Sequence, residues 1–247
     1  MILVALSPTA LEEYRGLLGE INTLAQEDLV ALWRSMEHLD RDQLWAALRA
    51  GVPEIVELYR ATAADTAMLF YSETQGVSFS STEGLAASAV NRGQVESSLR
   101  WALFSPQNAE PLALISGLVQ RHVVNGARQY GLSGFANAGS GWYRAARPGA
   151  CEFCRMLATR AATEWGPYSS AEAAVTVGAG TTRRRKVGAQ PSGDTFHDNC
   201  MCIPVKSSEY QVPDHVEAWA AEYNAATKRV GNAFDYKSIL AEMRKVG

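Results

Sequence analysis

All four cysteines of this 247-residue chain fall in two short segments, Cys151-x-x-Cys154 and Cys200-x-Cys202, and His197 stands just ahead of the second. Zinc takes four nitrogen or sulfur ligands in a tetrahedron, and two cysteines separated by two residues hold one edge of it from a tight turn. The second edge must come from elsewhere in the chain. His197, Cys200 and Cys202 offer three candidates for those two places. The spacing therefore predicts one structural Zn2+ ion with ligands drawn from Cys151, Cys154, His197, Cys200 and Cys202. Five groups compete for four positions, and the spacing alone leaves the choice open. Cys151, Cys154, His197 and Cys200 are the slightly favoured set, with Cys202 facing the adjacent core or replacing the histidine. A structural ion implies a closed coordination sphere, whereas a catalytic zinc keeps a place for water.

Other chemistries use the same residue types. A redox Cys-x-x-Cys is expected after a βαβ pattern, which is missing here. Disulfides formed in a released particle, or inert buried thiols, are the remaining alternatives. Compartment bears on the choice. Met1 to Leu6 is apolar but has no basic start and breaks at Ser7-Pro8, so it does not read as a signal peptide. No run approaches the roughly 18 apolar residues that span a bilayer. A cytoplasmic chain keeps its thiols reduced, which favours metal binding over disulfides.

Length and hydropathy pattern set the frame around the cluster. The first 130 residues read as helix. Ser7 supplies an N-cap oxygen with Pro8 at the first helical position. Leu11, Tyr14, Leu17, Leu18, Ile21 and Leu24 then recur at steps of three and four, and Leu29 to Leu39 continue in a second segment. Asp40 caps a third segment ending at Gly51, and Pro53 begins a fourth. After a break at Gly76 to Ser81, helix resumes from about Thr82 to Trp101 and from Pro111 to about Tyr130. Gly131 to Gly141 is loop composition. Residues 178–193 are rich in Gly, Thr, Arg and other small or polar residues with almost nothing to bury, which predicts a mobile basic loop. Cys202 to Val205 reads as an edge strand, limited by Pro204. Two short helices, about Asp214 to Lys228 and Asp235 to Lys245, end the chain. The fold class expected is mostly α: a helical domain over 1–130, a small α+β zinc-stapled module over 131–210, and a helical tail over 211–247.

The residues around the cysteines resemble a known family. Cys151-x-x-Cys154, a variable segment, then Phe196-His197-Asp198-Asn199-Cys200-Met201-Cys202 and Pro204 look like the carboxy-terminal module of Mu F-like phage minor head proteins. Cys154-Arg155-Met156-Leu157-Ala158-Thr159-Arg160 resembles versions from phages of actinobacteria. The resemblance covers roughly residues 100 to 206. It implies a virion protein of the head interior, assembled in the host cytoplasm, that works beside the portal or major capsid protein in procapsid assembly or DNA delivery. Some relatives are labelled capsid maturation proteases, which makes proteolysis of scaffold or capsid subunits the alternative.

No catalytic motif accompanies that alternative. The sequence has no Gly-x-Ser-x-Gly elbow and no phosphate-binding Gly-x-x-x-x-Gly-Lys-Ser/Thr. His122 lies on an apolar helical stripe and is expected to be a hydrogen-bonded core histidine; His38 and His215 suit surface positions. Glu152 would be a general base only beside a metal with an open position. Trp33, Trp45 and Trp101 are expected in the core. The net charge of -3 does not suggest a dedicated nucleic-acid binder. The run Arg183-Arg184-Arg185-Lys186 reads first as a solvated loop and second as a contact for packaged DNA or an acidic portal surface. No membrane partner is expected.

Overall fold

The structure is a computed structural model that describes residues 6–77, 89–105, 110–170, 176–177, 185–186 and 198–245. The chain is mostly helical. It divides into two compact units, one of Met1–Gly134 with Gln190–Asn199, the other of Phe135–Ala189 with Cys200–Gly247.

In the first unit, α1 spans Pro8–Met36 and α2 spans Arg41–Gln75. Ser7 caps α1, its Oγ accepting from the Ala10 N–H at 3.0 Å. Asp40 caps α2 in a capping box with Gln43. Both helices are longer than their sequence suggests. α1 absorbs two expected segments, and α2 runs unbroken through Gly51 and Pro53, where a break was expected. Packing accounts for this. A Cβ at Gly51 would lie 2.8 Å from Leu32 Cδ2, so glycine admits α1 at close range. Val52, Pro53 and Val56 are all buried there, and burial of this kind offsets the roughly 3 kcal/mol that an interior proline costs a helix. Farther along, Tyr14 stacks on Phe70 with ring centroids 4.0 Å apart. α2 ends at Gly76, which adopts the left-handed conformation at φ 63°.

α3, Arg92–Phe104, lies along α2. Arg92 pairs with Glu54 and Glu57, Arg49 with Glu96, and Arg41 donates to the Leu103 carbonyl. The ion pairs are exposed and contribute little each. Trp45 and Phe104 meet edge to face. Trp101, expected in the core, is instead 58% exposed and lines a cleft of about 600 Å³ with Gln94, Ser97 and Arg121. One exposed side of α3 carries it, and helical spacing could not tell that side from the buried one.

α4, Pro111–Asn137, corrects a second expectation. It continues through Gly131 and Gly134, which composition assigns to a loop. A Cβ at Gly131 would lie 2.5 Å from the Tyr71 ring, and one at Gly126 2.4 Å from the Arg60 carbonyl oxygen. These glycines are where α2 and α4 touch. Arg60 donates to the His122 carbonyl at 2.8 Å and also to Gln129.

The His122 ring is buried, as its position on the apolar stripe predicts, but Nε2 has no hydrogen-bond partner among the described residues. Burial first, then the Arg121 and Arg60 charges, lower its pKa from 6.5 to about 3. The folded value lies below the unfolded one, so the unfolded chain takes up the extra proton as pH falls from about 6.5 towards 3. Stability that is complete above that window is lost through it, at about 1.4 kcal/mol per pH unit. Urea unfolding at pH 5 should show about 2 kcal/mol less stability than at pH 7 from this group. H122Q should remove that difference; equal pH dependence in both proteins would refute the assignment.

In the second unit, β1 (Trp142–Ala145) pairs antiparallel with β4 (Ile203–Lys206), Trp142 opposite Lys206 and Ala145 opposite Ile203. Pro204 sits opposite Arg144 in β4, which pairs only with β1 among the described strands, and β1 is also bridged at Trp142 by Tyr168. A second ladder joins β2, Thr176–Val177, to β3, Arg185–Lys186. Most of 178–193, the expected mobile loop, lies outside the described residues. α5 (Glu152–Ala158), α6 (Asp214–Val230) and α7 (Tyr236–Arg244) lie in the same unit, and a 3-10 turn, Thr159–Ala162, follows α5. Its core gathers Ala226, Ile239, Leu240 and Met243, with Phe153 and Met156 of α5 packed against them. The two terminal helices thus form one body with the cysteine-bearing helix.

Candidate metal centre

Cys151 occupies the N-cap position of α5, and Cys154 follows one turn later. Residues three apart share a helix face, so the helix start brings the two thiols together. Phe153 and Met156 fix α5 on the core, Arg155 pairs with Glu222 at 3.4 Å, and Arg244 donates to Glu152 at 2.6 Å. The other half comes from the turn before β4. Asn199 adopts φ 60°, a left-handed conformation that asparagine tolerates, and Cys200 follows it directly.

Cys154, Cys200 and Cys202 are buried, and their sulfurs all lie within 4.8 Å of one another. Cys154 Sγ and Cys200 Sγ are 3.6 Å apart. All four cysteines are thiols, with no disulfide. A zinc–sulfur bond of about 2.3 Å places tetrahedral sulfurs about 3.8 Å apart, so the observed spacing suits a tetrahedral thiolate site and is far from the roughly 2.05 Å of a disulfide. The Cys202 backbone N–H points to Cys200 Sγ at 3.5 Å, as a donor to an electron-rich sulfur. These three residues can hold a metal ion.

Crowding governs the protons. Contact with Cys151 above all, then with Cys200 and Cys202, and burial hold the Cys154 thiol well above its ordinary value. At Cys202 the contact with Cys154 pulls downward, while the Cys200 contact and burial outweigh it and push the thiol up to about 12. A cation entering the cluster takes the place of those protons.

Of the five residues marked by spacing, the structure gathers Cys154, Cys200 and Cys202. Cys202, the spare candidate by spacing, is one of the three. Cys151 is exposed but its thiol touches that of Cys154. His197 lies outside the described residues, as do Arg183 and Arg184; Arg185 and Lys186 form β3. Glu152 is engaged by Arg244: burial raises its pKa, but that hydrogen bond and the Arg244 charge bring it below the ordinary carboxylate value. That is the wrong direction for a general base. His38 is exposed, and His215 Nε2 lies 3.2 Å from the Ala146 carbonyl with its ring against Trp219.

Two residues escaped the spacing. Asp198, within the second motif half, forms an ion pair with buried Arg121 at 2.7 Å. Arg144 is fully buried, with Nη1 3.9 Å from Cys200 Sγ. Burial works against its charge, and the Cys202, Cys200 and Cys154 sulfurs more than offset that, holding it firmly as a cation. The only sequence signal was an arginine inside the otherwise uncharged run Trp142-Tyr143-Arg144-Ala145-Ala146.

Fold and site together define a mostly helical protein with a buried three-cysteine cluster fit for a metal. The chain belongs to the VG15 protein family, which matches residues 5–226. This is a viral gene protein family, and it indicates a phage protein. No curated protein and no solved structure matches the chain. No helix among the described residues is long and apolar enough to cross a membrane.

Proposed function

We propose that this protein is a minor head protein of the Mu F-like kind, a structural virion component that joins portal or major capsid protein during procapsid assembly or DNA delivery. One observation carries the reading: Cys154, Cys200 and Cys202, three of the residues on which the family resemblance rests, converge in a buried cluster. Soft thiolates favour zinc, copper(I) or iron–sulfur clusters, and zinc is the ion that serves as a redox-inert structural staple. In this role Zn2+ fastens α5 to the start of β4, with Cys151 or His197 as the fourth ligand. The run Arg183-Arg184-Arg185-Lys186 supplies a cationic contact for packaged DNA or an acidic portal surface.

The test is complementation of a phage lacking this gene with wild-type, C154A or C200A protein, followed by protein composition of purified heads. A structural component is expected in wild-type heads, with both variants missing from heads and head yield reduced. Normal incorporation of both variants would overturn the role of the cluster. Capsid or scaffold subunits left uncut by a variant that still folds and enters heads would replace this reading with the maturation protease.

A further inference from the structure

Arg144 shows no solvent exposure, and it stands beside a cluster of thiols. A buried guanidinium is costly to hold unless an opposite charge meets it. The two-stranded sheet explains how the meeting is fixed. Arg144 lies opposite Pro204 in the register, and Cys202 immediately precedes β4, so one short ladder sets the cation against the sulfurs. Cys200 Sγ then receives two donors, the Arg144 Nη1 at 3.9 Å and the Cys202 backbone N–H at 3.5 Å. Donors of this kind suit a metal-bound thiolate, whose sulfur keeps lone pairs after coordination.

The charge count points the same way. A divalent ion with four thiolates carries a net charge of -2, and with three thiolates and a neutral histidine a net charge of -1. Built on three buried sulfurs, such a centre is stabilised by a fixed positive neighbour.

We propose that Arg144 is the built-in countercharge of the metal–thiolate centre, a positioning residue that raises metal affinity without itself touching the ion. The inference rests on the metal-site reading given above. Partners in this outer layer typically change metal affinity by about 10–100-fold when removed.

The experiment uses the full-length reduced protein, with Co2+ as spectroscopic probe and Zn2+ competed against a chromophoric chelator. Wild type, R144M and R144K are compared. R144M should keep one ion per chain and tetrahedral Co2+ bands, bind Zn2+ at least tenfold more weakly, and move the sulfur-to-cobalt charge-transfer band to lower energy. R144K, which restores charge without the planar fork, should recover affinity to within about threefold of wild type. Equal Zn2+ affinity and an unmoved band in folded R144M would overturn the proposal. Should R144M fail to fold even with excess metal, R144K decides: retained affinity supports the countercharge, and a tenfold loss assigns Arg144 to packing instead. Absence of metal binding by the wild type would overturn the metal site and this inference together. Unaltered affinity in R144M alone leaves the metal site standing.

Discussion

Replacing Cys200 by serine is expected to abolish stoichiometric metal binding and to destabilise the unit that contains α5, α6 and α7. Cys200 is central: its sulfur lies 3.6 Å from that of Cys154 and receives the Cys202 N–H and the Arg144 guanidinium. Loss of the ion removes the crosslink between α5 and the start of β4 and takes negative charge from beside the buried Arg144 guanidinium, and removing one partner of a buried ion pair costs about 3–5 kcal/mol. Chelation of the wild-type protein should produce a similar loss, because binding energy at a structural site is folding energy. Metal content and urea unfolding of both proteins measure the effect. A C200S variant with wild-type stability and one bound ion would remove the cluster from the account.

The same assay settles the fourth ligand. Cys151 stands at an N-cap without a side-chain cap hydrogen bond, and serine is a better cap than most residues. If Cys151 does not bind metal, C151S should leave affinity unchanged and add a few tenths of a kcal/mol to stability. If it does, C151S should lose the ion while H197A keeps it. The reverse pattern assigns the position to His197.

The second large effect is expected at Gly126. A Cβ there would come within 2.4 Å of the Arg60 carbonyl oxygen and 2.7 Å of its Cγ, and a backbone oxygen has no rotamer by which to retreat. G126A should therefore cost about 2–3 kcal/mol through overpacking, despite the roughly 1 kcal/mol by which alanine favours an isolated helix. Gly16 in α1 provides the contrast, since a Cβ there would meet nothing within 4 Å. G16A should stabilise the protein by about 0.5–1 kcal/mol. Chemical denaturation followed by circular dichroism compares them. A G126A protein as stable as G16A would mean that α2 and α4 do not approach as described.

These glycines also explain where the sequence misleads. Start signals were legible because they are local: Ser7 with Pro8, Asp40 with Gln43, and Asp235 ahead of α7 all cap helices through neighbours a few residues away. Continuity was not. Gly51, Pro53, Gly126, Gly131 and Gly134 have the composition of breaks or weak points, yet at Gly51, Gly126 and Gly131 the missing side chain makes room for another helix. That information resides in the partner, many positions away. The cysteine cluster was legible because chelating pairs need short spacing. Arg144 was not, because the Cys200 sulfur that it meets lies 56 positions later in the chain. Trp101 failed for a related reason: a helical period identifies faces without saying which one meets solvent.

The antiparallel pairing of β1 with β4 joins positions on either side of a long intervening segment, and the sulfur cluster closes the same stretch a second time. A segment fastened at both ends is cheap to lengthen, since each doubling of a closed loop costs only about 0.6 kcal/mol. Past α5, this stretch is therefore a natural place for related chains to gain or lose residues without refolding the body that holds the three-cysteine cluster. A single protease cut inside it would leave the two fragments held by the β1–β4 pairing and by the packing of Phe153 and Met156 on the core of α6 and α7.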